Sequence, residues 1–254
     1  MSESPRYFGA SVPRRRPKAS GDRRLEAIWR RLHERFGPRR WWPARTPFEV
    51  VVGAVLTQNT SWKNVEHAIE NLRRARALSP RAISRAPRAR LERWLRPSGY
   101  FRVKTKRLRE VVRWLGADER VERLRRGPLA ALRASLLEVN GVGPETADSI
   151  LGYAGGRRTF VVDLYTRRVL ARHGLLPADA DYERTQAFFH ERLMQSRYVY
   201  EEFHALFVAV GNAHCRARPR CEGCPLEPLL PPGGPLPFGE TKRRPVVPSR
   251  ASRS

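Results

Sequence analysis

The residues best suited to chemistry are Asn140-Gly141-Val142-Gly143-Pro144-Glu145-Thr146-Ala147, followed downstream by Asp163. The glycines sit between two helix-like stretches, 129–139 and 145–153. Glycine takes positive φ and close backbone approach at no steric cost. Two helices joined by such a turn aim backbone N–H groups and a helix N-terminus outward, an arrangement that binds a phosphate oxygen. Gly141, Val142, Gly143 and Thr146 are therefore candidate phosphate-binding residues. Asp163 then appears in Val161-Val162-Asp163-Leu164-Tyr165. A carboxylate near a phosphate clamp suits work on a nucleic-acid backbone or sugar. It can stabilise positive charge on a sugar C1′ as an N-glycosidic bond breaks, and it can orient water. An aspartate ahead of a helix also serves as an N-cap, and that plainer reading stands beside the chemical one.

The composition narrows the partner. The 254 residues carry a formal net charge of +25 and a pI near 11.4. A chain this basic normally meets a polyanion, with nucleic acid the first candidate. Only Lys18, Lys63, Lys104, Lys106 and Lys242 are lysine among 50 basic residues, so arginine enrichment without a partner is the bland alternative. Arg102-Val103-Lys104-Thr105-Lys106-Arg107 and Arg167-Arg168 are candidate phosphate contacts or simply solvated faces. Arg167 is the stronger of these because it closely follows Asp163. No apolar run of about 18 residues occurs, so no membrane span is expected. Residues 1–22 lack an apolar signal-peptide core, and a cytoplasmic location is expected. Three cysteines do not make a disulfide framework.

The elements that must position these groups are helical. Leu25, Ile28, Trp29, Leu32 and Phe36 repeat at helical spacing and end at Gly37-Pro38. Residues 48–56 read as a buried helix, and Val65, Ile69 and Leu72 continue the pattern. Leu91, Trp94 and Leu95 precede a break at Pro97-Ser98-Gly99, after which 103–115 is amphipathic with a basic polar face. Residues 184–195 and 199–210 are further helices. The run 159–162 is the best β-like stretch, but it is short and reads as an extended entry into a helix. The expected class is all-α, with basic disordered tails at 1–22 and 231–254.

Several segments, in this order, resemble the helix–hairpin–helix DNA glycosylase superfamily typified by endonuclease III. They are Trp41-Trp42-Pro43, the run from Gly53 to Thr60, Arg96-Pro97-Ser98-Gly99-Tyr100, the run from Glu145 to Leu151, and Val161-Val162-Asp163. The resemblance spans roughly residues 24 to 226 and is fullest to its 3-methyladenine DNA glycosylase III branch. It implies a two-lobed fold with the DNA cleft between lobes. One lobe covers about 46–158, and the other combines 23–45 with 159–228. It also implies a DNA glycosylase working on double-stranded DNA that holds a damaged base, as a monomer, with no cofactor required for the chemistry. Asp163 and Glu145 are the candidate catalytic residues. Bifunctional members carry a lysine where Glu145 stands, and a carboxylate cannot form the imine that strand cleavage needs. The resemblance therefore implies a monofunctional enzyme, acting on an alkylated base. Gln58, beside Asn59, is the candidate for filling the gap left by a flipped base; a polar cap or turn is its plainer role. Trp42, Phe48 and Trp62 are candidates for the base pocket, where a cationic alkylated base would gain cation–π attraction, or else they are core. The alternatives are a bifunctional glycosylase and AP lyase, and a protein that binds damaged DNA without cleaving it.

Endonuclease III relatives hold a 4Fe-4S cluster on four cysteines. This chain offers Cys215, Cys221 and Cys224, with a first gap one residue short and Leu230 at the fourth place. His214 stands beside Cys215. A decayed site without metal, a three-cysteine cluster completed by another ligand, and a zinc-like site all remain open, with a degenerate 4Fe-4S cluster favoured. The same loop carries Arg216, Arg218 and Arg220, which it would press toward phosphate.

Overall fold

The computed structural model describes residues 16–39, 42–116 and 121–239, together with 11 and 13. Its elements are helices: α1 (Arg23–Phe36), α2 (Pro47–Leu56), α3 (Trp62–Arg74), α4 (Pro80–Arg85), α5 (Arg88–Leu95), α6 (Phe101–Leu115), α7 (Leu129–Leu137), α8 (Pro144–Ser149), α9 (Leu164–Arg172), α10 (Tyr182–Arg192) and α11 (Arg197–Ala213). Among the described residues there is no strand, only an isolated antiparallel bridge between Ser20 and Leu193. The all-α expectation holds.

Local chemistry sets the helix ends. Asp22 caps α1 by accepting from the Arg24 and Leu25 amides, and Gly37 closes it at φ 64°. Thr46 accepts from the Glu49 amide at 3.1 Å, and Pro47 then starts α2 with a fixed φ and no amide to satisfy. From Phe48 to Leu56 every residue of α2 is buried, so this helix runs through the core rather than over it. By contrast α1 buries one stripe, Leu25, Ile28, Trp29 and Leu32.

Two apolar cores result. The first gathers α2 to α8 and reaches from Trp42 to Val161. The second joins α1 to α9, α10 and α11. The extended segment before α9 is shared between them. Val161 enters the first core while Phe160 and Val162 enter the second, because side chains alternate along extended backbone. This alternation leaves Asp163 at the seam. Trp42 and Ala44 also belong to the first core, so the segment before α2 divides earlier than position 46.

The tails differ from expectation where they are described. Trp29 Nε1 donates to Pro17 O at 3.0 Å, Met194 N donates to Ala19 O at 2.8 Å, and Ala19 and Ser20 are fully buried. Residues 16–22 are therefore docked strap, not disordered tail. At the other end, Leu236 N donates to Arg172 O at 3.0 Å, so part of 231–239 is docked as well. Residues 1–10, 12, 14, 15 and 240–254 lie outside the described part, as does Trp41.

One buried acid ties the two halves together. Asp148 on α8 has no exposed side-chain surface and pairs with Arg133 Nε at 3.0 and 3.1 Å. It also accepts from Thr159 Oγ1 at 2.9 Å, from Tyr182 OH at 2.9 Å and from Gln186 Nε2 at 3.0 Å. Both carboxylate oxygens are thus satisfied, the condition under which a charge is tolerated inside a protein.

Candidate active site

Asp163 is both cap and free-facing acid. Its Oδ1 accepts from the Thr166 amide at 2.7 Å and starts α9, while Oδ2 lies 3.5 Å from His204 Nε2 on α11. The side chain is 13% exposed, so it is desolvated but not sealed. Burial alone pushes the carboxyl up. The His204 ring and the Thr166 amide and hydroxyl outweigh that, holding it below the ordinary aspartate range. The acid stays ionised at neutral pH, as stabilising a cationic sugar demands.

Behind His204 stands Tyr153. Its hydroxyl lies 2.6 Å from His204 Nδ1, and its ring packs 5.1 Å from that of Trp42. Trp42 in turn meets Trp62 edge-on at 5.3 Å. Gly53 allows this closeness, since a Cβ there would stand 3.2 Å from the Trp42 indole. A path of aromatic and polar groups thus runs from Trp62 through Trp42, Tyr153 and His204 to Asp163. Phe48 is not on it. It is 2% exposed in the first turn of α2 and packs in the first core, the plainer of its two expected roles. Trp42 is also buried, while Trp62 is half-buried at the rim.

The hairpin has the expected bend, with Gly141 at φ 85°. Gly143 is exposed and no side chain caps α8, so the first-turn amides open outward. Two of the candidate ligands are corrected. Val142 is buried and its amide donates to Val139 O at 3.0 Å, so it anchors the turn instead of reaching out. Thr146 is buried with its hydroxyl accepting from Gln58 Nε2 at 3.0 Å, which removes it as a side-chain phosphate ligand. Glu145 stands exposed in the same turn.

Gln58 is latched to the hairpin. Its Nε2 donates to Gly141 O at 3.0 Å as well as to Thr146, and Arg107 on α6 donates to its Oε1. To fill a gap in a duplex it must exchange these bonds for bonds to an orphaned base. Asn59 beside it is exposed at φ 53°, a left-handed position that asparagine tolerates. Lys104 holds the base of this loop by donating to Leu56 O at 2.8 Å and to Ser98 O. Two residues beyond Ser98, Tyr100 is 72% exposed at φ 45°. An exposed ring in strained backbone next to the Gln58 loop is a second candidate for insertion between bases.

Arg167 is half-buried in the first turn of α9. Arg168 turns inward and donates to Cys215 O at 2.9 Å, so it is structural and not a phosphate contact. Arg172 donates to Cys215 Sγ at 3.2 Å, Arg216 O at 2.6 Å and Ala217 O at 2.7 Å. Arg216, Arg218 and Arg220 remain exposed on the loop these bonds hold.

Cys215, Cys221 and Cys224 line one small cavity with Arg172, His173 and Leu230. Among the described residues no three His, Cys, Asp or Glu side chains come together as a metal-holding group. A leucine at the fourth place and a guanidinium on one thiol do not fit a four-cysteine cluster. The loop is instead ordered by arginine. Arg172→Met is expected to lower stability by about 2 kcal/mol, because the part-buried Arg216 and Ala217 carbonyls lose charged donors. Urea denaturation reads this, and an unchanged midpoint would show the loop to be held by something else.

His204, Tyr153 and Tyr100 escaped the sequence reading as site residues, and Arg107, a candidate phosphate contact there, instead holds Gln58. A signal for His204 existed: Glu201, Glu202 and His204 interrupt an otherwise apolar helix. Buried polar groups in such a helix need partners.

Residues 52–195 match the family described as HhH-GPD superfamily base excision DNA repair protein. A Methanocaldococcus jannaschii protein provisionally named a DNA repair glycosylase is 42% identical over 204 residues, covering 79% of this chain and 92% of that one. The structure of H. pylori 3-methyladenine DNA glycosylase bound to 1,N6-ethenoadenine aligns at TM-score 0.63 and 27% identity, over 75% of this chain and 95% of that one. An endonuclease III trapped as a covalent DNA intermediate aligns at TM-score 0.67 and 22% identity, over 81% and 93%, a likeness of fold. The chain belongs to the HhH-GPD superfamily of base-excision DNA repair proteins. Its activity is that of a DNA N-glycosylase, and its partner is DNA.

Proposed function

We propose that this enzyme is a monofunctional glycosylase that removes an alkylated base from double-stranded DNA, acting as a monomer. The observation that carries the reading is Asp163, ionised at the seam of two cores with one oxygen fixed as a cap and the other turned to His204. In this reading the hairpin amides of Gly141 and Gly143 hold a phosphate, and Gln58 leaves the hairpin to fill the gap. The extruded base stacks at Trp62 and Trp42. The C1′–N bond breaks with its electron pair leaving on the base. A water oxygen then bonds to C1′ and its proton passes to Asp163. An alkylated, cationic base is a good leaving group and gains attraction from indole faces, so no strong general acid is needed. A DNA-associated, cytoplasmic location is part of the proposal and rests on the partner.

Strand cleavage needs an amine at C1′, and Glu145 offers none. Lys104 is the nearest rival in chemistry, since burial and the neighbouring Arg107 push its ammonium down to about 8. It is 1% exposed and engaged with two carbonyls, so it supports the loop instead of attacking sugar. The test is a panel of duplexes with methylated, oxidised, deaminated and mismatched bases, scored for base release before and after alkali. Methylated bases are expected to be released with strand breaks only after alkali, and borohydride is expected to trap no covalent adduct on abasic DNA. A trapped adduct would overturn the monofunctional assignment. Absence of base release from every duplex would favour a binding protein.

A further inference from the structure

Tyr153 and His204 are buried at 1% and 5% exposure, and the glycosidic step above assigns them nothing. Their meeting depends on an irregularity in α8. The helix widens into a π turn at Ile150–Ala154, where Gly155 N donates to Ile150 O at 3.0 Å. Such a turn inserts one residue and changes which side chain faces a neighbour, and π turns recur at functional sites. Here the widened turn carries Tyr153, and α11 carries His204 opposite it.

The tautomer of His204 follows from this contact. Burial, with Glu201, Asp163 and Glu202 nearby, pushes the Tyr153 phenol well above its ordinary range, so it keeps its proton. A phenol 2.6 Å from an unprotonated Nδ1 donates to it, which places the imidazole proton on Nε2. That nitrogen faces Asp163 Oδ2 at 3.5 Å, and without substrate it has no well-formed hydrogen bond. Catalytic contacts of this kind commonly tighten when substrate binds. Asp163 and Tyr153 face His204 from α9 and α8. On its own helix Glu201 is paired with Arg197 at 2.6 Å, and Glu202 lies 3.6 Å from His33 and accepts from the Arg39 amide.

We propose that Tyr153 and His204 are positioning residues that hold Asp163 Oδ2 toward the deoxyribose through the Nε2–H of His204. The inference rests on the glycosidic role of Asp163. That N–H fixes the direction of the carboxylate, and the Tyr153 hydroxyl fixes the imidazole.

The experiment measures single-turnover base release from dimethyl sulfate-methylated duplex DNA, with DNA affinity read separately, using the full chain. His204→Gln keeps an N–H donor at the Nε2 position, and His204→Leu removes it. The Gln variant is expected to stay within about fivefold of native, and the Leu variant to fall well below it with DNA affinity unchanged. Tyr153→Phe removes only the hydroxyl and is expected to slow release about tenfold, as loss of an outer hydrogen-bond partner typically does. Equal loss of release in the Gln and Leu variants would overturn the proposal, as would an undiminished Phe variant. Should His204→Gln fail to fold, the isosteric Tyr153→Phe decides alone. Asp163→Asn separates the two levels. If it still releases base, the role of Asp163 itself fails; if it is inactive while the other variants behave as native, only the positioning inference fails.

Discussion

Asp163→Asn is expected to reduce base release by about a thousandfold while leaving the protein folded and able to bind DNA. The two jobs of this side chain make the experiment informative. Asparagine caps a helix as well as aspartate does, so the bond to the Thr166 amide survives and stability should change by less than about 1 kcal/mol. What disappears is the negative charge opposite C1′. A pure N-cap would show the reverse: base release near native in the Asn variant, and loss of both activity and stability only in Asp163→Ala. Acid titration gives a second view. The folded carboxyl lies below its ordinary value, so the stability it contributes is present above the unfolded aspartate range. That contribution is lost as pH falls through the lowered folded value. The Asn variant should lack this component of acid sensitivity.

Asp148→Ala is expected to have the largest effect on stability, about 3 to 5 kcal/mol. Removing this carboxylate leaves Arg133 without its buried partner and takes the shared acceptor from Thr159, Tyr182 and Gln186 together. These groups come from α7, the extended segment, and α10, so the loss is felt on both sides of the seam. For a chain of this size the melting temperature should drop by roughly 10 °C. Base release should fall as well, because the extended segment that Thr159 anchors leads directly to Asp163. A melting temperature within about 2 °C of native would mean that the network relaxes onto water and does not tie the halves together.

Much of the architecture could be read from the chain. Helical spacing marked α1, α3 and α6, and the continuous apolar run marked α2 as interior. These signals are short-range: each residue's burial follows from neighbours three and four positions away. The hairpin was legible for a related reason, since a glycine offers the positive φ that such a turn needs, as Gly141 does at 85°. The short α4 gave no such signal, and the docked strap at 16–22 looked like tail because its partners, Leu193 and Met194, are remote in sequence. The resemblance to known glycosylases named Asp163, Gln58 and Trp42, but not what each touches.

The sequence by itself determined the helical class, the glycine bend, the acid that follows it and the missing amine at Glu145. These depend on residue identity and local backbone preference. Only the tertiary structure decided that Gln58 rests on the hairpin, that Val142 and Thr146 turn inward, and that Arg172 bonds to Cys215. It also decided that His204 reaches Asp163 and that Tyr153 reaches His204. The physical reason is that a polar side chain's role depends on which groups desolvate it and which donors remain in reach, and packing between remote helices sets both.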